Sequence, residues 1–224
     1  MKTISLVCAL FTGALIFASC NSGTTTTAKT SADSPTMVKP DTASAMNAHD
    51  MGKMDDGLMG SMKSMMDKMG SMKMTGDPDI DFAGMMIEHH QGAIDMSEAE
   101  IKSGTDEKLK AMAQNIITKQ KGEQNNLRDI VRNTKPMKMD MGQGNASNKL
   151  INEMMANMKA MEMSGNTDKD FIRMMISHHE SAIKMAKSEI ANGMNSSLKQ
   201  MAKTMINDQT MEINNFKKLL PEIK

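Results

Sequence analysis

Aromatic side chains and thiols are scarce in this chain of 224 residues. It has five Phe and neither Trp nor Tyr, so it lacks the stacking platforms on which single-stranded nucleic acids bind. Lys and Arg together equal Asp and Glu at 27 each, so no excess charge indicates a nucleic acid or an anionic surface as partner. The hydrolase sequences G-x-S-x-G and H-E-x-x-H are missing as well. We therefore expect neither nucleic-acid binding nor an enzyme.

Both cysteines, Cys8 and Cys20, lie near the N-terminus, in a stretch that is typical of a targeting segment. An apolar run at 4–17 follows a positive residue, and small residues precede the second cysteine. The sequence FASC resembles a bacterial lipobox, so we interpret 1–19 as a lipoprotein signal peptide and Cys20 as the lipidated residue. A membrane anchor at Cys20 predicts a protein of the bacterial cell envelope, facing the periplasm or in the outer membrane. The mature chain would then have no free thiol.

Methionine is abundant instead, with 31 residues against ten Leu. The two have similar helix propensity and similar value when buried, so packing alone does not explain the choice. Residues 20–50, rich in Thr, Ser, Ala and Pro, predict a flexible tether. In 51–76, methionines recur among Gly, Ser, Lys and Asp, a context that we interpret as excluding ordinary burial. We expect accessory metal ligands in this segment and just before it: His49, Met51, Met54, Met62, Met65, Met66 and Met69.

The remaining chain contains an internal repeat. MMIEHH at 85–90 returns as MMISHH at 174–179, 89 positions later, and many flanking residues match at the same offset. One unit has been duplicated. We predict a first helical hairpin at 77–131, a linker with a second Met-rich segment at 132–163, and a second hairpin at 164–224.

Each unit carries the signals of two helices. Asp77-Pro78 and Asn166-Thr167 predict the starts of the first helices. Gly104 and Gly193 predict their ends, where a left-handed residue is expected. Two such hairpins together predict an all-α four-helix bundle, with additional short helices from the Met-rich segments.

The repeated motif pairs methionine with histidine. Residues four apart share a helix face, so Met85 stacks on His89 and Met86 on His90. Such residues are ordinarily core filler and hydrogen-bonded core histidine. The duplication of the pairs and the cost of burying adjacent imidazoles favour a ligand set instead. Soft neutral sulfur with imidazole indicates Cu(I), with Ag(I) as a mimic, whereas zinc prefers thiolate and hard ions prefer oxygen.

The order Asp-Phe, Met-Met-Ile-x-His-His, Ala-Ile-x-Met and Gln-x-x-Glu resembles the DUF305 family of bacterial extracytoplasmic proteins. It is carried by Asp81, Phe82, Met85 to His90, Ala93, Ile94, Met96, Gln120 and Glu123, and by their counterparts in the second unit. The resemblance implies a ferritin-like bundle and, from the family's periplasmic copper-binding members, a role in copper binding. The ligands that it implies are Met85, Met86, His89, His90, Met96, Met174, Met175, His178, His179 and Met185.

We expect a lipid-anchored, extracytoplasmic Cu(I) chaperone, buffer or resistance factor that passes copper to an acceptor protein. Three alternatives stay open: a carboxylate-bridged di-iron or other metal oxidase, a methionine-based oxidant sink, and a plain interaction lipoprotein. The di-iron type needs Glu-x-x-His, but neither Glu123 nor Glu212 has a histidine three residues later. An oxidant sink would explain exposed methionines but not paired histidines.

Overall fold

The computed structural model describes residues 56–135 and 143–224, and every regular element within these ranges is helical. The elements are α1 Asp56–Ser71, α2 Pro78–Ser103, α3 Glu107–Asn133, α4 Gln143–Lys159, α5 Thr167–Asn192 and α6 Ser196–Leu219, with a 3₁₀ turn at Leu220–Glu222. This confirms the predicted all-α fold, in which a Met-rich helix (α1 or α4) precedes each hairpin.

Several predictions concern residues outside these ranges. They are the signal peptide, Cys20 with its lipid, the tether, and the accessory candidates His49, Met51 and Met54. Within the described ranges, none of the helices combines the length and the apolar character that crossing a bilayer requires.

The predicted starts of the two motif helices are confirmed. Asp77 caps α2, since its carboxylate accepts a hydrogen bond from the backbone N–H of Asp79 at 3.0 Å, and Pro78 is the first helical residue. Asn166 caps α5 by accepting from the N–H of Lys169 at 2.9 Å.

The glycines that end these helices are not left-handed, contrary to the prediction. Gly104 has φ −68° and Gly193 has φ −65°, values that any residue adopts. The need for glycine comes from a side chain. A Cβ on Gly104 would lie 2.2 Å from a carboxyl oxygen of Glu100, and one on Gly193 would lie 2.1 Å from Glu189. Glycine at each position therefore makes room for a buried carboxyl group.

The two hairpins, α2 with α3 and α5 with α6, join through contact between α2 and α5. Asp168, at the start of α5, accepts from the N–H groups of Thr105 and Asp106 in the turn of the first hairpin, at 2.9 Å each. Asp79 accepts from the N–H of Met194, in the turn of the second hairpin, at 2.8 Å. Each hairpin thus supplies the acceptor that the other hairpin's turn needs.

The methionines of α1 are part of the core. Met62, Met65, Met66 and Met69 are all at most 3% exposed. The prediction that their polar context excludes burial is therefore wrong. Their spacing places all four sulfurs on one face of α1, while Gly, Ser, Lys and Asp occupy the opposite face. Burial of each such side chain stabilises the fold by about 1.5–3 kcal/mol.

Candidate metal centre

The four histidines of α2 and α5 lie in the interior, each at most 1% exposed. They are His89, His90, His178 and His179. Burying an imidazole without partners for its ring nitrogens is unfavourable. The partners of these nitrogens therefore indicate what the four rings can do.

His89 and His178 meet where α2 packs on α5, with ring centroids 3.6 Å apart. The Nε2–H of His178 donates to the carbonyl oxygen of His89 at 2.9 Å. The Oγ–H of Ser181 donates to the carbonyl oxygen of His178 at 2.7 Å. Because that hydroxyl has used its proton, it accepts at its oxygen from the Nε2–H of His89, also at 2.7 Å.

His90 and His179 point instead at the outer helix of their own hairpin. The Nε2 of His90 donates to Oε2 of Glu123 on α3 at 2.7 Å. The Nε2 of His179 lies 2.7 Å from Oε2 of Glu212 on α6, without the alignment of a hydrogen bond. Both glutamates come from the Gln-x-x-Glu part of the repeat. A carboxylate only accepts, so it places the ring proton on Nε2.

Glu212 also contacts a cationic side chain. Lys119 lies 3.2 Å from its Oε1 and 2.9 Å from Oδ2 of Asp208. Burial alone would raise the pKa of Glu212, but its contacts with His179 and Lys119 lower that pKa below the usual value. Glu212 is therefore a carboxylate at neutral pH, and its negative charge favours the ring proton of His179 on the nearby Nε2.

The other nitrogen of each ring, Nδ1, is the candidate metal-binding atom. With the protons on Nε2, the lone pairs lie on Nδ1, and none of the four Nδ1 atoms has a hydrogen-bond partner among the residues that the structure describes. Buried acceptors are rarely left unpaired without a reason. Four buried imidazole lone pairs without a donor are suited to a metal ion.

The ring charges agree with this arrangement. Burial, and then the neighbouring imidazoles, lower the pKa of His89 well below its usual value. The pKa of His178 is lowered for the same reasons, although its hydrogen bond to the carbonyl of His89 works in the opposite direction. Both rings are therefore neutral at neutral pH and keep a lone pair.

The six methionines of the predicted ligand set share the core with these rings, each at most 4% exposed. They are Met85, Met86, Met96, Met174, Met175 and Met185. Four of them precede a histidine by one helical turn and so lie on its face of the helix. Met96 and Met185 lie nearly two turns beyond their histidine pair, in the same hydrophobic core.

The accessory candidates are divided. Met62, Met65, Met66 and Met69 pack on the centre from α1. A Cβ placed on Gly92, three residues after His89, would lie 2.5 Å from the sulfur of Met65. His49, Met51 and Met54 lie outside the described residues.

Sequence reasoning missed two kinds of partner. Glu123 and Glu212 are recognisable in the sequence as part of the repeated Gln-x-x-Glu and as potential di-iron ligands, but not as histidine partners, although their recurrence at the offset of 89 could have indicated that role. Ser181 has Gly92 as its counterpart, so the repeat pattern gives no signal for it.

The structure offers no support for the di-iron alternative. In 56–135 and 143–224, no group of three or more His, Cys, Asp or Glu side chains is arranged to hold a metal ion. Histidine and carboxylate side chains alone therefore form no such group in these ranges.

Comparison with known proteins places the chain in a family. The model of a domain of unknown function, DUF305, matches residues 24–131 and again 131–220. The chain belongs to the DUF305 family. This confirms the resemblance seen in the repeated motif. No curated protein matches the chain.

Solved structures of DUF305 proteins and their relatives are similar to this chain. CopM in an Ag-bound form shares 28% identity, over 64% of this chain and 95% of that one, at a TM-score of 0.49. CopM in the Cu(II)-bound form also shares 28%, over 65% and 98%, at 0.49. A secreted DUF305 protein from Streptomyces coelicolor shares 21%, over 66% and 95%, at a TM-score of 0.53, and has the same fold.

Proposed function

We propose that this DUF305 protein binds Cu(I) as cargo, through imidazole Nδ1 atoms and thioether sulfurs in the core of the bundle. The observation that carries the proposal is the set of four buried Nδ1 atoms without partners, among six buried methionines. Copper is inferred from these donor atoms and not from the likeness to CopM.

The chemistry of the donors selects the ion. Thioether sulfur is soft and neutral, and neutral imidazole accompanies it, so these donors suit a soft ion of low charge such as Cu(I). Hard ions such as Mg²⁺ and Ca²⁺ require oxygen ligands in larger number. Ag(I), a soft d¹⁰ ion, should bind the same donors.

The residues divide into ligands and positioning residues. His89, His90, His178 and His179 would supply nitrogen, and the methionine one turn before each would supply sulfur. Glu123 accepts from Nε2 of His90, Ser181 from Nε2 of His89 and the carbonyl oxygen of His89 from Nε2 of His178, while the carboxylate of Glu212 lies beside Nε2 of His179; these partners orient the Nδ1 atoms.

We further propose that the protein acts in the cell envelope, anchored through Cys20, and that it passes copper to an acceptor protein without transforming a substrate. Among the methionines of 56–135 and 143–224, only Met194 and Met211 are largely exposed, at 56% and 58%. This supports a binding role over an oxidant sink. Methionines used to scavenge oxidant should be accessible.

Anaerobic Cu(I) competition against a chromogenic chelator tests the proposal. The His89→Ala/His178→Ala and His90→Ala/His179→Ala variants should each lose affinity by more than the ~10-fold that removal of an outer partner costs. The control is Leu109→Ala/Leu198→Ala, which truncates two buried, repeat-related leucines of α3 and α6. This control should retain copper affinity if circular dichroism reports a folded bundle. Equal affinity in all four proteins would end the proposal.

A further inference from the structure

A small cavity lies between α1, α4 and α5, with a volume of about 30 Å³. Three of its lining residues are methionines from three different helices: Met69, Met154 and Met185. Each is at most 7% exposed. Leu150 and Ile151 add apolar wall. A space of this size holds one water molecule or one ion.

Apart from Met69, the residues that line the cavity belong to the second repeat. In the first repeat, the sulfur of Met65 occupies the space above Gly92, where a Cβ would come within 2.5 Å of it. The repeat-related residues are Met154 and Ser181, and both line the cavity. A methionine thus fills the space in one repeat, whereas its counterpart in the other borders an opening.

The cavity adjoins the metal centre. Ser181 lines it, and the Oγ of Ser181 accepts the hydrogen bond from Nε2 of His89 at 2.7 Å. On the solvent side, Lys184 and Glu153 also line the cavity and form an ion pair at 3.2 Å, with both side chains about half exposed. The cavity therefore lies between the surface and a histidine that is itself fully buried.

We propose that this cavity is a separate site for one soft monovalent cation, held by the thioethers of Met69, Met154 and Met185, on the route by which the ion reaches His89. The inference rests on the proposed Cu(I) cargo. Thioether sulfur is soft and neutral, so it suits a soft monovalent cation. Thioethers do not ionise, so the site holds its ligands at any pH.

Ag(I) titration of the full chain carrying [methyl-¹³C]methionine tests the site, with each signal assigned from its Met→Leu variant. The methyl signals of Met69, Met154 and Met185 should move together over one equivalent of Ag(I). The Met69→Leu/Met154→Leu/Met185→Leu variant should bind one equivalent fewer. The control Met205→Leu removes a buried methionine of α6 away from the cavity and should bind as many equivalents as the unaltered protein.

Two outcomes would overturn the site: three methyl signals that stay in place, or a triple variant that binds the full number of equivalents. If the signals of Met85 and Met175 nevertheless move, the proposed function stands and only the cavity site fails. If no methionine signal moves, both proposals fail. Since leucine nearly matches methionine in volume, the variants should fold, and circular dichroism checks this.

Discussion

The behaviour of each buried histidine depends on one acceptor at its Nε2. For His90 that acceptor is the carboxylate of Glu123, which fixes the ring proton and leaves the lone pair on Nδ1. Metal affinity should therefore respond to a residue that never touches the ion.

Replacing Glu123 separates the role of its oxygen from the role of its charge. Glu123→Gln keeps an acceptor within reach of His90, whereas Glu123→Leu leaves the ring N–H buried and unpaired. We expect the Leu variant to lose about 10-fold or more in Cu(I) affinity and the Gln variant to lose clearly less, in chelator competition. Glu98→Leu, at an exposed position on α2, is the control and should bind as the unaltered protein does. Equal affinities for the Gln and Leu variants would contradict this role.

Gly104 is a second residue at which the effect of a substitution depends on a neighbouring side chain. The backbone φ of Gly104 is one that alanine adopts, but the Cβ of an alanine would collide with the carboxyl group of Glu100. Gly104→Ala should lower the free energy of unfolding by about 1–3 kcal/mol, as overpacking does. In urea denaturation the loss should shrink in a Glu100→Ala background. Gly122→Ala, with open space at its Cβ inside α3, is the control and should be stabilising.

At the scale of helices, much of the fold follows from local chemistry. Asp77, Pro78 and Asn166 determine where α2 and α5 begin, and the period of the apolar residues identifies the outer helices. The role of α1 could not be predicted, because its apolar face consists almost wholly of methionine and its other face is rich in glycine and charge. Whether such a face is buried depends on the tertiary packing of α1 against the next helix, α2, which supplies the opposing surface.

The burial of α1 predicts how its methionines respond to substitution. Met62→Leu/Met66→Leu should change the free energy of unfolding by less than about 1.5 kcal/mol per site, since volume is conserved. Met62→Ser/Met66→Ser should lower it by at least the ~2 kcal/mol per site typical of truncation in a core. Urea denaturation measures both, with Met211→Ser on the exposed face of α6 as control. Large destabilisation by leucine would mean that sulfur, and not packing, holds α1 in place.

At the scale of the molecule, two buried glutamates connect the hairpins. Glu100 lies against Asp168 of the other hairpin, and Glu189 lies against Asp79. Burial, and then the facing aspartate, raise the pKa of each glutamate to about 8. The charges around Glu100 are those of Lys110 and Asp106, and those around Glu189 are Lys199 and Asp77.

These pairs predict how stability depends on pH. Below the ordinary glutamate pKa of 4.5, the folded and unfolded states both carry the protons, and the contribution of the two pairs is complete. Between 4.5 and about 8 only the folded state keeps them, so stability falls as pH rises through this window. Urea denaturation from pH 7 to 9 should record that fall, and Glu100→Gln/Glu189→Gln should flatten it. Below about pH 7 the lowered pKa values of His89 and His178 act in the opposite direction, because the unfolded state takes up protons that the folded state excludes. An unchanged slope in the double variant would assign the dependence to other groups.

The centre could be predicted only in part. The ten histidines and methionines of the ligand set are visible because they recur. The structure buries all ten, and the six methionines belong to one hydrophobic core. Ser181 and the cavity beside it could not be predicted, because they arise where the two repeats differ. The cavity becomes apparent only in the fold, which brings Met154, Ser181 and Met69 together.

The crossed aspartates also bear on the origin of the chain. Asp79 accepts hydrogen bonds from the turn of the second hairpin, and Asp168 accepts them from the turn of the first. In a polypeptide with only one unit, the aspartate could not reach the N–H groups of its own turn. Two copies related by a twofold axis would satisfy each other in the same way. The crossed contacts are those expected if gene duplication joined an ancestral homodimer into one polypeptide, whose halves then diverged at positions such as Gly92 and Ser181.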